Sequence, residues 1–255
     1  DSDVPQNMEE LKLRVENTLD IALCWFTQNR LKINPGKTEL VVMKPLRKKL
    51  DFSLSIRFGK TEINPSHHAK ILGVMFDSML TWEKQVSHVT RQCYSVLVGL
   101  SKIRHKIPRE TKKLLVETLV FPYIQYCLTA WAGCNVTQRK RIQKVINFGA
   151  RIVSGQHRTL HISPTIQTLG WLRFEEMIMA RDVAVVGRIL SGTGPPALAD
   201  CVTRRAQVSS RHTRGTRAGM LNLPRVRTEA AKRSFPYRAI KTWNDRVSTV
   251  AGVDI

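Results

Sequence analysis

At 255 residues, 42% of them hydrophobic, the chain is long enough for one large domain or two small ones and apolar enough for a packed core. That composition excludes a disordered polypeptide. A net charge of +21 with a pI near 10.4 excludes a balanced surface and points to a polyanionic partner, nucleic acid before an anionic membrane.

The charge is unevenly placed. Residues 1–43 hold five Lys/Arg against seven Asp/Glu, residues 44–194 hold 24 against nine, and residues 195–255 hold 12 against four, so the basic surface begins after the first segment. The five cysteines, Cys24, Cys93, Cys127, Cys134 and Cys201, are widely spaced and follow neither a Cys-x-x-Cys nor a Cys/His ligand pattern. Reduced thiols in an intracellular compartment are the simpler reading, with no disulfide scaffold and no metal site. With neither a signal peptide nor an apolar run of membrane-spanning length, a soluble, intracellular protein without membrane contact is expected.

In chain order, residues 6–28 read as an amphipathic helix with Met8, Leu11, Val15, Leu19, Ala22 and Phe26 as its stripe. Asp3 and Gln6 have capping-box spacing and Pro5 suits the first turn. Asn34-Pro35-Gly36 predicts a type II turn, and Thr38–Met43 a short strand after it. Lys44–Lys49 is a basic loop. Ser53–Phe58 and Thr61–Asn64 flank Gly59-Lys60 as a hairpin, and Ile71–Phe76 is the next strand. The adjacent His67 and His68 point to opposite faces of a strand and make no chelate.

Residues 82–107 are the clearest helix, with Val86, Val89, Cys93, Val96, Leu100, Ile103 and Ile107 on one side and Lys84, His88, Arg91, Lys102, Arg104, His105 and Lys106 on the other. An apolar stripe backed by cations could rest on a duplex backbone, because Lys and Arg displace counterions from phosphates. Helices over 109–121 and 123–133 flank Pro122, with Tyr123, Tyr126 and Trp131 read as core. Arg139-Lys140-Arg141 opens a further helix that stops at Gly155, and another runs from Arg173 to Leu190. Gly192–Pro196 reads as a linker. The segment beyond it is rich in Arg, including Arg204, Arg205, Arg211, Arg214 and Arg217, and reads as a flexible phosphate-contacting tail that closes on a short helix at Phe235–Asn244.

Two motifs carry a family resemblance. Trp25, Asn29, Leu31, Asn34, Lys37, Thr38 and Glu39 match a Trp-x-x-x-Asn-x-Leu-x-x-Asn-x-x-Lys-Thr-Glu pattern, and Leu72, Gly73, Val74 and Asp77 match Leu-Gly-Val-x-x-Asp. In this order they resemble the end of the palm of reverse transcriptases from non-LTR retrotransposons of the jockey and CR1 type. The later helices and the closing Trp243-Asn244 are more loosely similar to the regions that follow.

The resemblance implies an α+β chain: an incomplete palm-derived helix, strand and hairpin unit over residues 1–80, a mostly α-helical thumb and post-thumb region over 81–192, and a basic tail over 193–255. It implies an RNA template and DNA primer as partners, a nuclear location, and a primer-gripping hairpin near residues 53–76. It also places Lys37 near an incoming nucleotide, an exposed surface lysine being the plain alternative. The family's earlier metal-binding Asp and its Tyr-x-Asp-Asp hairpin do not occur here. The intact family enzyme implies Mg²⁺. This chain is expected to hold no catalytic residue, no metal and no cofactor, to be inactive alone, and to depend on an upstream palm and fingers. The residues expected on nucleic acid are Lys84, Arg91, Lys102, Arg104, Lys106, Arg139, Lys140, Arg141, Arg204 and Arg205. A stand-alone nucleic-acid-binding module or an inactive transposon remnant is the alternative, and a helical protein-interaction domain a third.

Overall fold

A computed structural model describes residues 8–43, 55–208 and 219–251. The class is α+β and mostly helical, and the chain divides into two compact units, Asp1–Lys84 and Gln85–Ile255. Among the described residues, no helix is long and apolar enough to cross a membrane.

In the first unit, helix α1 (Met8–Gln28) lies on an antiparallel hairpin of strands β1 (Ile56–Phe58) and β2 (Thr61–Ile63). The period-two pattern buries Ile56, Phe58 and Ile63, and Val15, Leu19, Leu23, Ile33 and Leu40 pack partly buried against them. The packing face of α1 is therefore the Val15, Leu19, Leu23 row. The Arg57 backbone N–H donates to the Glu16 carboxylate at 2.8 Å, fixing helix against strand. Asp3, Pro5 and Gln6, the expected cap, lie outside the described residues, as does the Lys44–Lys49 loop.

Three local expectations change here. Pro35–Lys37 is a 3₁₀ turn rather than a type II turn: Gly36 does not take positive φ, and its N–H donates to the Asn34 side-chain oxygen at 3.0 Å. Residues 38–43 form no strand, because only Leu40 finds a partner, in a single bridge to Pro65. Residues 71–76 are not one strand but the turn of a second hairpin, β3 (His68–Ile71) with β4 (Val74–Asp77). Leu72 and Gly73 take φ of 47° and 85°, the positive values that a tight two-residue connection needs.

The second unit is a helical assembly. Helix α2 (Glu83–Ile103) bridges into it, followed by α3 (Arg109–Leu119), α4 (Phe121–Gln125), α5 (Leu128–Trp131), α6 (Val136–Ser154), α7 (Ser163–Thr168) and α8 (Phe174–Leu190). Helix α6 has complete end signals: the Asn135 side chain accepts from the Gln138 N–H, and Gly155 closes the helix at φ 72°. It buries Ile142, Val145, Ile146, Ala150, Ile152 and Val153. Gly149 lets α3 approach closely, since a Cβ there would sit 3.1 Å from the Val116 side chain.

Helix α2 ends at Ile103, four residues short of expectation, and Arg104–Lys106 continue as turns. Leu97, fully buried, packs in the core, whereas Ile103 is 49% exposed. Of the three aromatics expected inside, only Trp131 is; Tyr123 and Tyr126 are exposed, because Val120 and the break at Cys127 (φ 47°) turn α4 so that Phe121 and Ile124 face inward instead.

The chain beyond Leu190 does not end in a short helix. After a 3₁₀ turn (Pro196–Cys201), α9 (Arg205–Val208) and α10 (Glu229–Lys232), helix α11 spans Phe235–Ala251 and packs on α8. Val186, Val202, Leu221, Ala239 and Ile240 form a core of their own. Asn244 clamps the Leu221 backbone from both sides, accepting from its N–H at 2.8 Å and donating to its carbonyl at 3.0 Å. Arg211, Arg214 and Arg217 lie outside the described residues.

Candidate nucleic-acid interface

Helix α6 carries five cations, Arg139, Lys140, Arg141, Lys144 and Arg151, and no carboxylate over 19 residues. Their helical spacing gives them different tasks. Arg139 is bound into the fold: it donates to the Cys134 and Ala132 carbonyls, each at 3.0 Å, and pairs with Glu175 at 2.8 Å. Arg141 is half-buried, donating to Gln138 at 2.8 Å and to Ser87 of α2 at 3.1 Å. Lys140 and Lys144, one turn apart, are exposed.

The Arg141 contact joins α6 to α2. Ser87, Arg91, Tyr94 and Lys102 share the side of α2 away from its buried row of Val89, Cys93 and Leu100, since seven- and four-residue steps return to the same face. Tyr94 is 37% exposed and its ring centroid is 6.0 Å from that of Phe148 on α6. Burial pushes the Tyr94 hydroxyl upward in pKa, with a further push from Cys93 and an opposing pull from the Arg141 guanidinium. Arg91 and Lys102 thus share the Tyr94 side of α2, and Lys140, Arg141 and Lys144 lie on the helix that carries Phe148. Guanidinium and ammonium groups of this kind neutralise phosphates, and an exposed ring offers a face to a base.

The other expected residues are distributed differently. Lys84, in the first turn of α2, belongs to the first unit, where its ammonium lies 3.0 Å from His68 Nδ1. Arg104 and Lys106 are exposed in the turn after α2, and the Arg104 guanidinium donates to His105 at 3.3 Å. Arg204 and Arg205 are exposed near α9, where their backbones are tied to Leu221 and Met220; nothing joins them to the α2–α6 face. Lys37 is exposed on its 3₁₀ turn.

The motif residues that resemble a palm act as local structure. Glu39 accepts from the Lys70 N–H at 3.2 Å. Asp77 accepts from the N–H groups of Met79, Thr81 and Trp82 and from the Thr81 hydroxyl, at 2.8–3.2 Å, stabilising a loop in which Leu80 and Trp82 both take positive φ. A carboxylate engaged by four donors is a poor metal ligand, and the described residues bring no three His, Cys, Asp or Glu together. They do not fit Mg²⁺. The five cysteines are free thiols; burial pushes Cys93 up to about 12 and raises Cys134.

Two features escaped the sequence reading. Arg238, within the closing segment, forms a buried ion pair with Asp182 of α8 at 2.6 Å and also donates to the Arg233 and Thr129 carbonyls. Arg151, Arg158 and Arg173 come together with His161 around a concave pocket. Neither has a sequence signal beyond residue type, because the partners lie 56 positions apart in the first and on three segments in the second. Comparisons of the chain with protein-family models, with curated proteins and with solved structures give no match.

Proposed function

We propose that the chain is the end-of-palm, thumb and following region of a retrotransposon reverse transcriptase, and that it grips the backbone of a primer–template hybrid without performing the chemistry. The carrying observation is α6: five cations without a carboxylate, two of them exposed one turn apart, beside the Arg91, Lys102 and Tyr94 side of α2. The two ordered motifs in the first unit support the polymerase ancestry. Such a region holds an RNA–DNA duplex through phosphates, so its affinity follows salt rather than sequence.

Binding of the full chain to RNA–DNA hybrid, duplex DNA and single strands across a salt series tests this. Steeply salt-dependent binding with preference for the hybrid is expected. Substituting Lys140 and Lys144 together by Ala should flatten the slope by roughly two and weaken every hybrid sequence alike. Absence of binding at about 0.15 M salt, or a slope the double variant leaves unchanged, overturns the reading.

A further inference from the structure

The pocket beside α6 has a volume of about 440 Å³, and its floor is built by sequence spacing. Gln143, Asn147 and Arg151 recur every four residues, so they form one ridge of α6. The connection to α7 adds Arg158, Thr159, Leu160 and His161 to the lining, and Ser163 and Ile166 of α7 and Arg173, just before α8, complete it. No Asp or Glu lines it.

Its polar groups are only partly used. Gln143 accepts from the Phe174 N–H at 2.8 Å and donates to the Asn147 side-chain oxygen at 2.9 Å, leaving the Asn147 amide NH₂ without a partner among the described residues. Arg151 reaches the Arg158 and Leu160 carbonyls only at 3.4 and 3.5 Å. Its Nε is buried with no hydrogen-bond partner at all. A buried guanidinium N–H without an acceptor costs on the order of 1–3 kcal/mol, so an acceptor that reaches it, on a water or on a ligand, is stabilising. Three guanidiniums and an imidazole around one concavity, with no carboxylate to neutralise them, set the charge of that ligand: it is anionic, and more than singly so.

We propose that this pocket binds a phosphomonoester, the dianionic phosphate carried by a free nucleotide or by the terminus of a nucleic-acid strand. An internal phosphodiester has one negative charge and must bring both neighbouring nucleotides to the mouth; a terminal phosphate brings one, and a volume of about 440 Å³ has room for the attached nucleoside. The strand-terminus source rests on the reading under Proposed function, and α6 supplies a route for it. Lys140, Lys144 and Arg151 follow one another at four and seven residues along a single side of the helix, so the exposed lysines lead toward the pocket.

The test uses the full chain and three probes at matched ionic strength: inorganic phosphate, adenosine 5′-monophosphate, and one oligonucleotide with a 5′-phosphate, a 3′-phosphate or hydroxyl ends. Millimolar phosphate or the mononucleotide should raise the thermal midpoint by about 2–4 °C over matched chloride. One phosphorylated oligonucleotide should bind about tenfold more tightly than its hydroxyl-ended form. Arg158→Gln and Arg173→Gln should abolish both effects and leave the affinity for the hydroxyl-ended strand unchanged. Arg151→Gln should also abolish both effects, and the two exposed variants keep the test valid if loss of Arg151 loosens the loop. A shift with phosphate and mononucleotide but no end preference assigns the pocket to free nucleotides. If no oligonucleotide binds while phosphate still stabilises the chain, the pocket stands and the primer–template reading falls. No stabilisation and no end preference, or effects the three variants retain, overturn the proposal.

Discussion

Helices α1 and α6 are of similar length, 21 and 19 residues, yet α6 buries eight of its residues while the described side chains of α1 are half-buried or exposed throughout. The difference lies in what each meets. Helix α1 lies on a hairpin of two three-residue strands, too short to cover a 21-residue helix, and Leu13, Ile21 and Trp25 remain outside at 59, 73 and 55% exposure. Helix α6 is packed by α3, α7 and α8, with Trp171 set edge-on to Phe121 at 4.9 Å and Trp131 stacked on Phe174 at 5.7 Å. A hydrophobic stripe qualifies a helix for burial; only a partner surface of matching size supplies it.

The largest effect that would sharpen this contrast is expected from Asp182→Ala. Asp182 is fully buried, and its loss strands the Arg238 guanidinium between α8 and α11, costing about 3–5 kcal/mol. Urea unfolding should show the loss in the helical unit, with hydrogen exchange of α1 unaffected. A loss below about 1 kcal/mol would mean that the pair is solvated and the closing segment held by its apolar core alone.

Core truncations come next. Ile146→Ala in α6 should cost about 2–5 kcal/mol, whereas Leu19→Ala, half-buried on the hairpin, should cost about 1 kcal/mol. Limited proteolysis of the parent chain should cut within residues 8–80 before it cuts α6. Equal costs, or equal protection, would break the comparison.

The smallest effect is a pH dependence. The Cys93 thiol, raised by burial from 9.0 to about 12, favours the protonated, folded state. Its contribution is complete below pH 9.0 and is lost as pH rises toward about 12, so the midpoint of the helical unit should decline over that window. Cys93→Ala should flatten the decline, and alkylation of Cys93 should require unfolding while exposed Cys127 reacts in the folded chain.

Legibility followed the range of the forces involved. The α6 stop at Gly155 and the β1–β2 turn at Gly59-Lys60 were readable because caps and turns are settled by a few neighbouring residues. Leu72-Gly73 misled because an apolar run with an internal glycine reads as a strand, when positive φ at both positions makes it a turn. In the candidate interface, Lys140 was read as a surface cation and is exposed, but Lys144, one turn on, was not singled out, and Arg139 of the same run is spent on Glu175 and two carbonyls, which residue type does not disclose.

By itself the sequence determined the α+β class, the long helices, the excess of cations over the second half and the absence of a Tyr-x-Asp-Asp motif, since periodicity, caps and charge are properties of local chain and composition. Tertiary structure alone decided which cations remain exposed, how the closing segment folds onto α8, and that Arg151, Arg158 and Arg173 meet around one pocket. Those outcomes depend on contacts between segments tens of residues apart, where burial and the pairing of polar groups, rather than local propensity, select the arrangement.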